Sequence, residues 1–222
     1  MAYDLEEQEQ IDTLKAWWKQ YGNLVTWLLI VILASFAGWT AWTNYQRNQA
    51  GQASTIYDEV QRAAGSKDNA KVQGATANLQ SKFGGTSYAS MAGLVAAKSA
   101  FDANDLKVAK TQLTWVVEHG YTKEFQALAK LRLATILLDE KSYDDALKIV
   151  GGEFAPEFAA EALDRKADIY VAQNKLKEAR ETYTIALDKM GDKHAGKPLV
   201  QIKLDALGGS SENKLAATSD KK

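Results

Sequence analysis

The sequence predicts an all-α protein: a single N-terminal transmembrane helix followed by an α-solenoid of helical hairpins. Three observations predict it. No charged residue lies between Lys19 and Arg47. Behind that stretch, apolar residues recur at spacings of three and four and never alternate, and the chain holds only two prolines. Three segments then repeat a pair of alanines at a constant offset of twelve residues.

Composition narrows the function. Lys and Arg number 27 against 28 Asp and Glu, a net charge of -1. That balance lacks the basic excess of a nucleic-acid binder. Cysteine is absent, which removes disulfides, thiol nucleophiles and thiolate metal sites. The two histidines, His119 and His194, are 75 residues apart, so no histidine cluster forms locally. Neither a phosphate-binding loop nor a nucleophile–base pair is present, and no cofactor or metal is expected.

Residues 1–23 form the first segment. Leu5, Ile11, Leu14 and Trp18 recur near helical spacing, which predicts a juxtamembrane helix; a solvated acidic tail is the alternative for residues 1–10. The transmembrane helix is 24–42, LVTWLLIVILASFAGWTAW, 19 residues or roughly 28 Å as a helix, near the ~30 Å of bilayer hydrocarbon. Trp17, Trp18 and Tyr21 flank one end, and Trp39, Trp42 and Tyr45 the other, as amphipathic rings do at headgroup level. A buried core helix explains neither the aromatic ends nor the length. A cleaved signal peptide has a short basic start and a shorter apolar run, whereas 23 residues with five acidic ones precede this run. Lys15 and Lys19 before the span, against Arg47 after it, favour a cytoplasmic N-terminus.

The repeats occupy 43–207. Helices are expected at about 44–64, 68–83, 88–103, 106–118, 124–139, 143–150, 157–173, 176–190 and 198–207. Gly84-Gly85 and Gly151-Gly152 are expected to stop helices by taking positive φ. Pro156 and Pro198 suit first turns, where the missing N–H costs nothing. The alanine pairs are Ala97 with Ala109, Ala134 with Ala146, and Ala167 with Ala179, so the repeats fall 37 and then 33 residues apart. Alanine at a crossing lets two helices approach, and stacked pairs bury what one pair cannot. Residues 50–83 supply a fourth, degenerate pair without the alanine pattern. Helix 198–207 caps the array, and 208–222 has the composition of a disordered tail.

The turn-and-second-helix stretches KSYDDAL and NKLKEAR resemble the tetratricopeptide repeat, with its period of about 34. First helices of such stacks line a concave face. The alignment points Leu94, Lys98, Leu131, Thr135, Asp164 and Asp168 to that face as candidate partner-binding residues. For the leucines, core packing is the competing reading. The face lacks the Lys/Asn/Arg cluster by which some tetratricopeptide domains clamp a C-terminal carboxylate. His119 closes a helix before Gly120, where a favourable end interaction is the plain reading. His194 sits in a Gly/Lys loop and reads as exposed.

The N-terminal block EEQEQ…KAWWKQYGN joined to the span, then FAGWTAWTNYQ and the ending IKLDAL, resembles the bacterial YfgM family over residues 3–207. The resemblance implies a tetratricopeptide-like ancillary subunit of the Sec translocon, single-pass in the inner membrane, with its C-terminal domain in the periplasm. It implies protein partners: Sec translocon subunits, a PpiD-type periplasmic foldase and exported client chains, besides the lipid bilayer through the span. It supplies no catalytic residues. The alternatives are a membrane-anchored scaffold for another envelope assembly process, or a regulator acting through its cytoplasmic N-terminal segment.

Overall fold

The computed structural model describes residues 2–208, with side chains from Glu9 onward. The tail expected over 208–222 therefore lies, apart from Gly208, outside the described residues. Among the described residues the regular elements are all helical. They are α1 (Ala2–Gly65), α2 (Asn69–Phe83), α3 (Ser87–Asp102), α4 (Leu106–His119) and α5 (Lys123–Asp139). These are followed by α6 (Tyr143–Val150), a 3₁₀ turn (Pro156–Phe158), α7 (Ala159–Ala172), α8 (Leu176–Lys189) and α9 (Lys197–Ala206). The expected helices from 68 onward lie within about two residues of these bounds. The chain divides into two compact units, Met1–Gln49 and Ala50–Lys222.

In the first unit, α1 carries the one segment among the described residues long and apolar enough to cross a membrane. Its apolar side chains are unburied throughout, from Leu24 through Leu33 and Phe36 to Trp42. The expected breaks before and after the span do not occur. Gly22, Gly38 and Gly51 are helical, and a helical glycine costs only about 1 kcal/mol relative to alanine. No proline interrupts the segment, so juxtamembrane segment, span and the helix expected at 44–64 are one α1.

The second unit is four hairpins and a cap. The last turns of α1 pair with α2, then α3 with α4, α5 with α6 and α7 with α8, while α9 packs on α8. The six alanines of the repeat pattern are all essentially buried, five of them completely. The degenerate pair follows the same register. Val60 and Val72, again twelve apart, stand where the other repeats have alanine and are fully buried.

A common turn joins the two helices of every hairpin. Lys67, Asn104, Lys141 and Asn174 all take left-handed backbone, with φ between 58° and 62°. In each turn two N–H groups reach back to carbonyls at the end of the first helix. The N–H of Asn104 donates to Phe101 C=O (2.9 Å), and that of Asp105 to Ala100 C=O (2.8 Å). The same two bonds recur at Lys67/Asp68, Lys141/Ser142 and Asn174/Lys175. This closure satisfies carbonyls that a helix end leaves orphaned. Asparagine tolerates left-handed backbone; at the two lysines it costs roughly 1–2 kcal/mol, offset by the paired bonds.

Positive φ was expected at Gly84-Gly85 and Gly151-Gly152. Those pairs do end α2 and α6, but Gly84 has φ -55° and Gly151 φ -80°. The left-handed positions lie inside hairpins instead, because only there must the chain reverse within three residues. Pro156 and Pro198 open their helical turns as expected. Gly93 has a separate cause: a Cβ there would lie 2.6 Å from Val116 Cγ2, so the α3–α4 approach excludes any side chain.

Candidate partner-binding groove

The first helices α1, α3 and α5 leave a groove along the second unit. Its larger part, about 760 Å³, has an apolar wall of Tyr57 and Ala64 from the last turns of α1, and Met91, Leu94 and Val95 from α3. Its polar groups include Lys67 from the first hairpin turn, Asn69 at the start of α2, Lys98 and Asp102 from α3, and Arg132 from α5. A second recess of about 270 Å³ adjoins it, made by Ala97, Phe101, Leu113, Thr135 and Ile136. Lys98 and Arg132 border both.

The turns position these groups. The left-handed residue Lys67 directs the chain into α2, whose first turn Asp68 caps by accepting the Lys71 N–H at 3.1 Å. Asn69 Oδ1 then accepts from Ser99 Oγ (3.0 Å) and Gln73 Nε2 (3.2 Å), tying the first hairpin to α3. Lys98 pairs with Asp102 one turn on, at 2.7 Å, with both side chains mostly exposed. Arg132 is exposed, and its guanidinium holds no hydrogen-bond or ion-pair partner among the described residues.

Three of the six candidate residues meet here. Leu94 lines the larger part, Thr135 the recess, and Lys98 both. Leu94 is also nearly buried in the α3–α4–α5 core, so it belongs to the groove wall and the core together. Leu131 is half-buried and lines neither space; its carbonyl accepts from Thr135 Oγ1 at 2.9 Å. Asp164 and Asp168 are engaged by α9. Lys203 Nζ donates to Asp164 Oδ1 at 2.8 Å and to Asp168 at 2.8 and 3.0 Å. Asp168 also accepts from Tyr183 Oη (2.6 Å) and Arg165 (3.1 Å). Burial holds the Asp164 carboxyl above its usual range, against the pull of Lys203. Burial and the bond to Asp168 raise the Tyr183 phenol.

Sequence reasoning missed Arg132, Val95, Tyr57 and Lys67. Val95 and Arg132 are one position after Leu94 and Leu131: Val95 lines the groove beside Leu94, whereas Arg132 lines it in place of Leu131. Tyr57 and Lys67 belong to the hairpin that lacks the alanine signature. The cationic set of Lys67, Lys98 and Arg132 spans three hairpins, so no single repeat displays it.

The histidines are accounted for. His119 stacks on Trp115 at 5.2 Å, and its Nδ1 meets the Trp115 carbonyl at 3.2 Å, in keeping with a helix-end role. His194, expected to be exposed, is half-buried. Its Nδ1 accepts the Gly196 N–H at 3.1 Å, which leaves the proton on Nε2, 3.0 Å from Glu161. The pair ties the α8–α9 loop to α7. Among the described residues no group of His, Asp and Glu side chains is arranged to hold a metal.

A family model described as a tetratricopeptide repeat-like domain matches residues 15–209. The chain is similar to the ancillary SecYEG translocon subunit of Neisseria gonorrhoeae, 34% identical over 93% of this chain and 100% of that protein. It is similar also to the proteins of that name from Haemophilus influenzae, 27% identical over 82% of this chain and 89% of that one. For Escherichia coli the identity is 23%, over 80% of this chain and 85% of the relative. The repeat register, the hairpin turns and these matches over most of the chain agree, and the chain belongs to the YfgM family of proteins with a tetratricopeptide repeat-like domain.

Proposed function

We propose that this chain is an ancillary subunit of the Sec translocon, held in the bacterial inner membrane by residues 24–42, with the repeat domain in the periplasm. The observation that carries the reading is the match to a translocon subunit of that name along its whole length. The module is a binding scaffold rather than an enzyme, passing exported chains towards a PpiD-type foldase. The groove of α1, α3 and α5 is the surface we assign to partners, with Lys98 and Thr135 as its central contacts. Membrane tethering raises local concentrations towards the millimolar range. The groove can therefore work at about micromolar affinity, near -8 kcal/mol.

Photo-crosslinking in cells tests this. Probes at Lys98 and Thr135 are expected to capture translocon subunits or a foldase; probes at the exposed Lys148 and Lys177 of α6 and α8 are not. Capture only from α6 and α8, or only from the span, would move the docking surface elsewhere.

Orientation has its own test. The Lys15/Lys19 excess before the span supports a cytoplasmic N-terminus. A reporter active only in the periplasm, fused after Leu207, should be active. A silent fusion whose cytoplasmic counterpart works would reverse the topology.

A further inference from the structure

We infer that the groove selects an extended protein segment carrying acidic and apolar side chains together. Carboxylates meet Arg132, Lys98 and Lys67, and an apolar side chain enters the recess beside Phe101. The inference rests on the groove being the partner surface, as proposed above, and adds the chemistry of what it takes.

Charge is the first argument. Around the two adjoining spaces stand three cations, Lys67, Lys98 and Arg132, against one carboxylate, Asp102, in a chain whose net charge is -1. Asp102 serves Lys98 alone. Arg132 stands where the spaces join, exposed and without a partner among the described residues. A guanidinium presents paired donors that match a carboxylate and is more weakly hydrated than an ammonium. A basic segment would set like charges against all three groups. The acidic pair of α7, Asp164 and Asp168, offers a basic segment no alternative, because Lys203 already occupies it.

Shape and polarity are the second. The recess has almost no polar surface of its own: Leu113 and Ile136, both buried, back it, and Phe101 stands at its rim 46% exposed. Such a recess gains by burying an apolar side chain. Arg132 borders the recess, so one short segment can engage both features.

The test uses the full chain in detergent micelles and three fluorescent, end-blocked peptides. The first mixes Glu and Asp with Leu and Phe; the second has Lys for the acids; the third has Ser for the apolar residues. The first is expected to bind at least about tenfold tighter than the others, the scale of one charge-assisted hydrogen bond. Its binding should weaken with salt. Arg132→Glu and Arg132→Gln should each weaken it about tenfold with an unchanged thermal melt. Absence of binding by the first peptide overturns the inference. So does equal binding of the Lys peptide, or indifference to both Arg132 variants. If Thr135 still crosslinks to partners in those cases, the groove assignment stands and only its stated chemistry falls. If the peptide behaves as expected while Thr135 crosslinks to nothing, the selectivity stands and the assignment of the groove to translocon partners falls.

Discussion

Replacing Ala134 or Ala167 by leucine is expected to destabilise the repeat domain by roughly 1–3 kcal/mol. Both alanines are fully buried. Each belongs to the first helix of a hairpin, with its twelve-residue partner, Ala146 or Ala179, equally buried on the second. The added carbons have no space, so either the side chain leaves its rotamer or the two helices part. Parting them also breaks the contact with the next hairpin, because in a stacked array each unit supports its neighbours. For a domain of this size the loss corresponds to a melting temperature lower by roughly 2–10 °C. Ala172→Leu at the exposed end of α7 adds the same volume to open surface and should change stability by no more than about 0.5 kcal/mol. Thermal melts of the three variants against the parent decide it. Equal melting temperatures for all would deny that the alanine pairs mark helix crossings.

That register was the most legible part of the sequence, and it carried the helix bounds with it. Alanine at a fixed offset reports a steric constraint that survives when everything around it changes. Val60 and Val72 obey the offset with larger side chains, which is why the first hairpin looked degenerate in composition while its turn at Lys67 matches the other three. The left-handed turns were harder to see. Lysine is not a residue that announces positive φ, and at Lys67 and Lys141 the closing bonds impose it. The continuity of α1 was hidden for a different reason: the apolar run marks where the span lies but says nothing about whether the helix continues through its polar flanks. In the groove, Lys98 and Thr135 followed from the alignment. Arg132 did not, because a shift of one position turns a helical side chain by about a quarter of a turn. Asp164 and Asp168 are taken up by Lys203 of α9, and a repeat alignment contains nothing about the helix that caps the last unit.

That cap sets up the second large effect. Lys203→Met should cost about 2–3 kcal/mol at neutral pH, and the loss should close in acid. Lys203 is the α9 contact of Asp164 and Asp168, whose side chains are only 18% and 16% exposed. Removing one member of a buried ion pair costs about 3–5 kcal/mol, and the residual exposure here reduces that. The Lys203 ammonium lies 5.7 Å from the centre of the Tyr183 ring; methionine keeps most of the apolar stem and removes that charge, so the change is chiefly electrostatic. Burial already raises the Asp164 carboxyl, neighbouring Asp168 adds to the rise, and Lys203 opposes it. Without Lys203 the folded-state value climbs further above the unfolded value near 4. Between those two values the folded chain binds more protons than the unfolded one, so stability falls as pH rises through the window. The deficit is therefore complete above the raised value and absent below the unfolded one. Melts of parent and variant from neutral pH down to about pH 4 should converge. Asp164→Asn in the Lys203→Met background should recover part of the neutral-pH loss by removing the carboxylate that loses its ion-pair partner, since Asp168 keeps Arg165 and Tyr183. A deficit that stays constant with pH, or that Asp164→Asn deepens, would mean that Lys203 holds α9 by packing and that the charges between α7 and α9 contribute nothing to the cap.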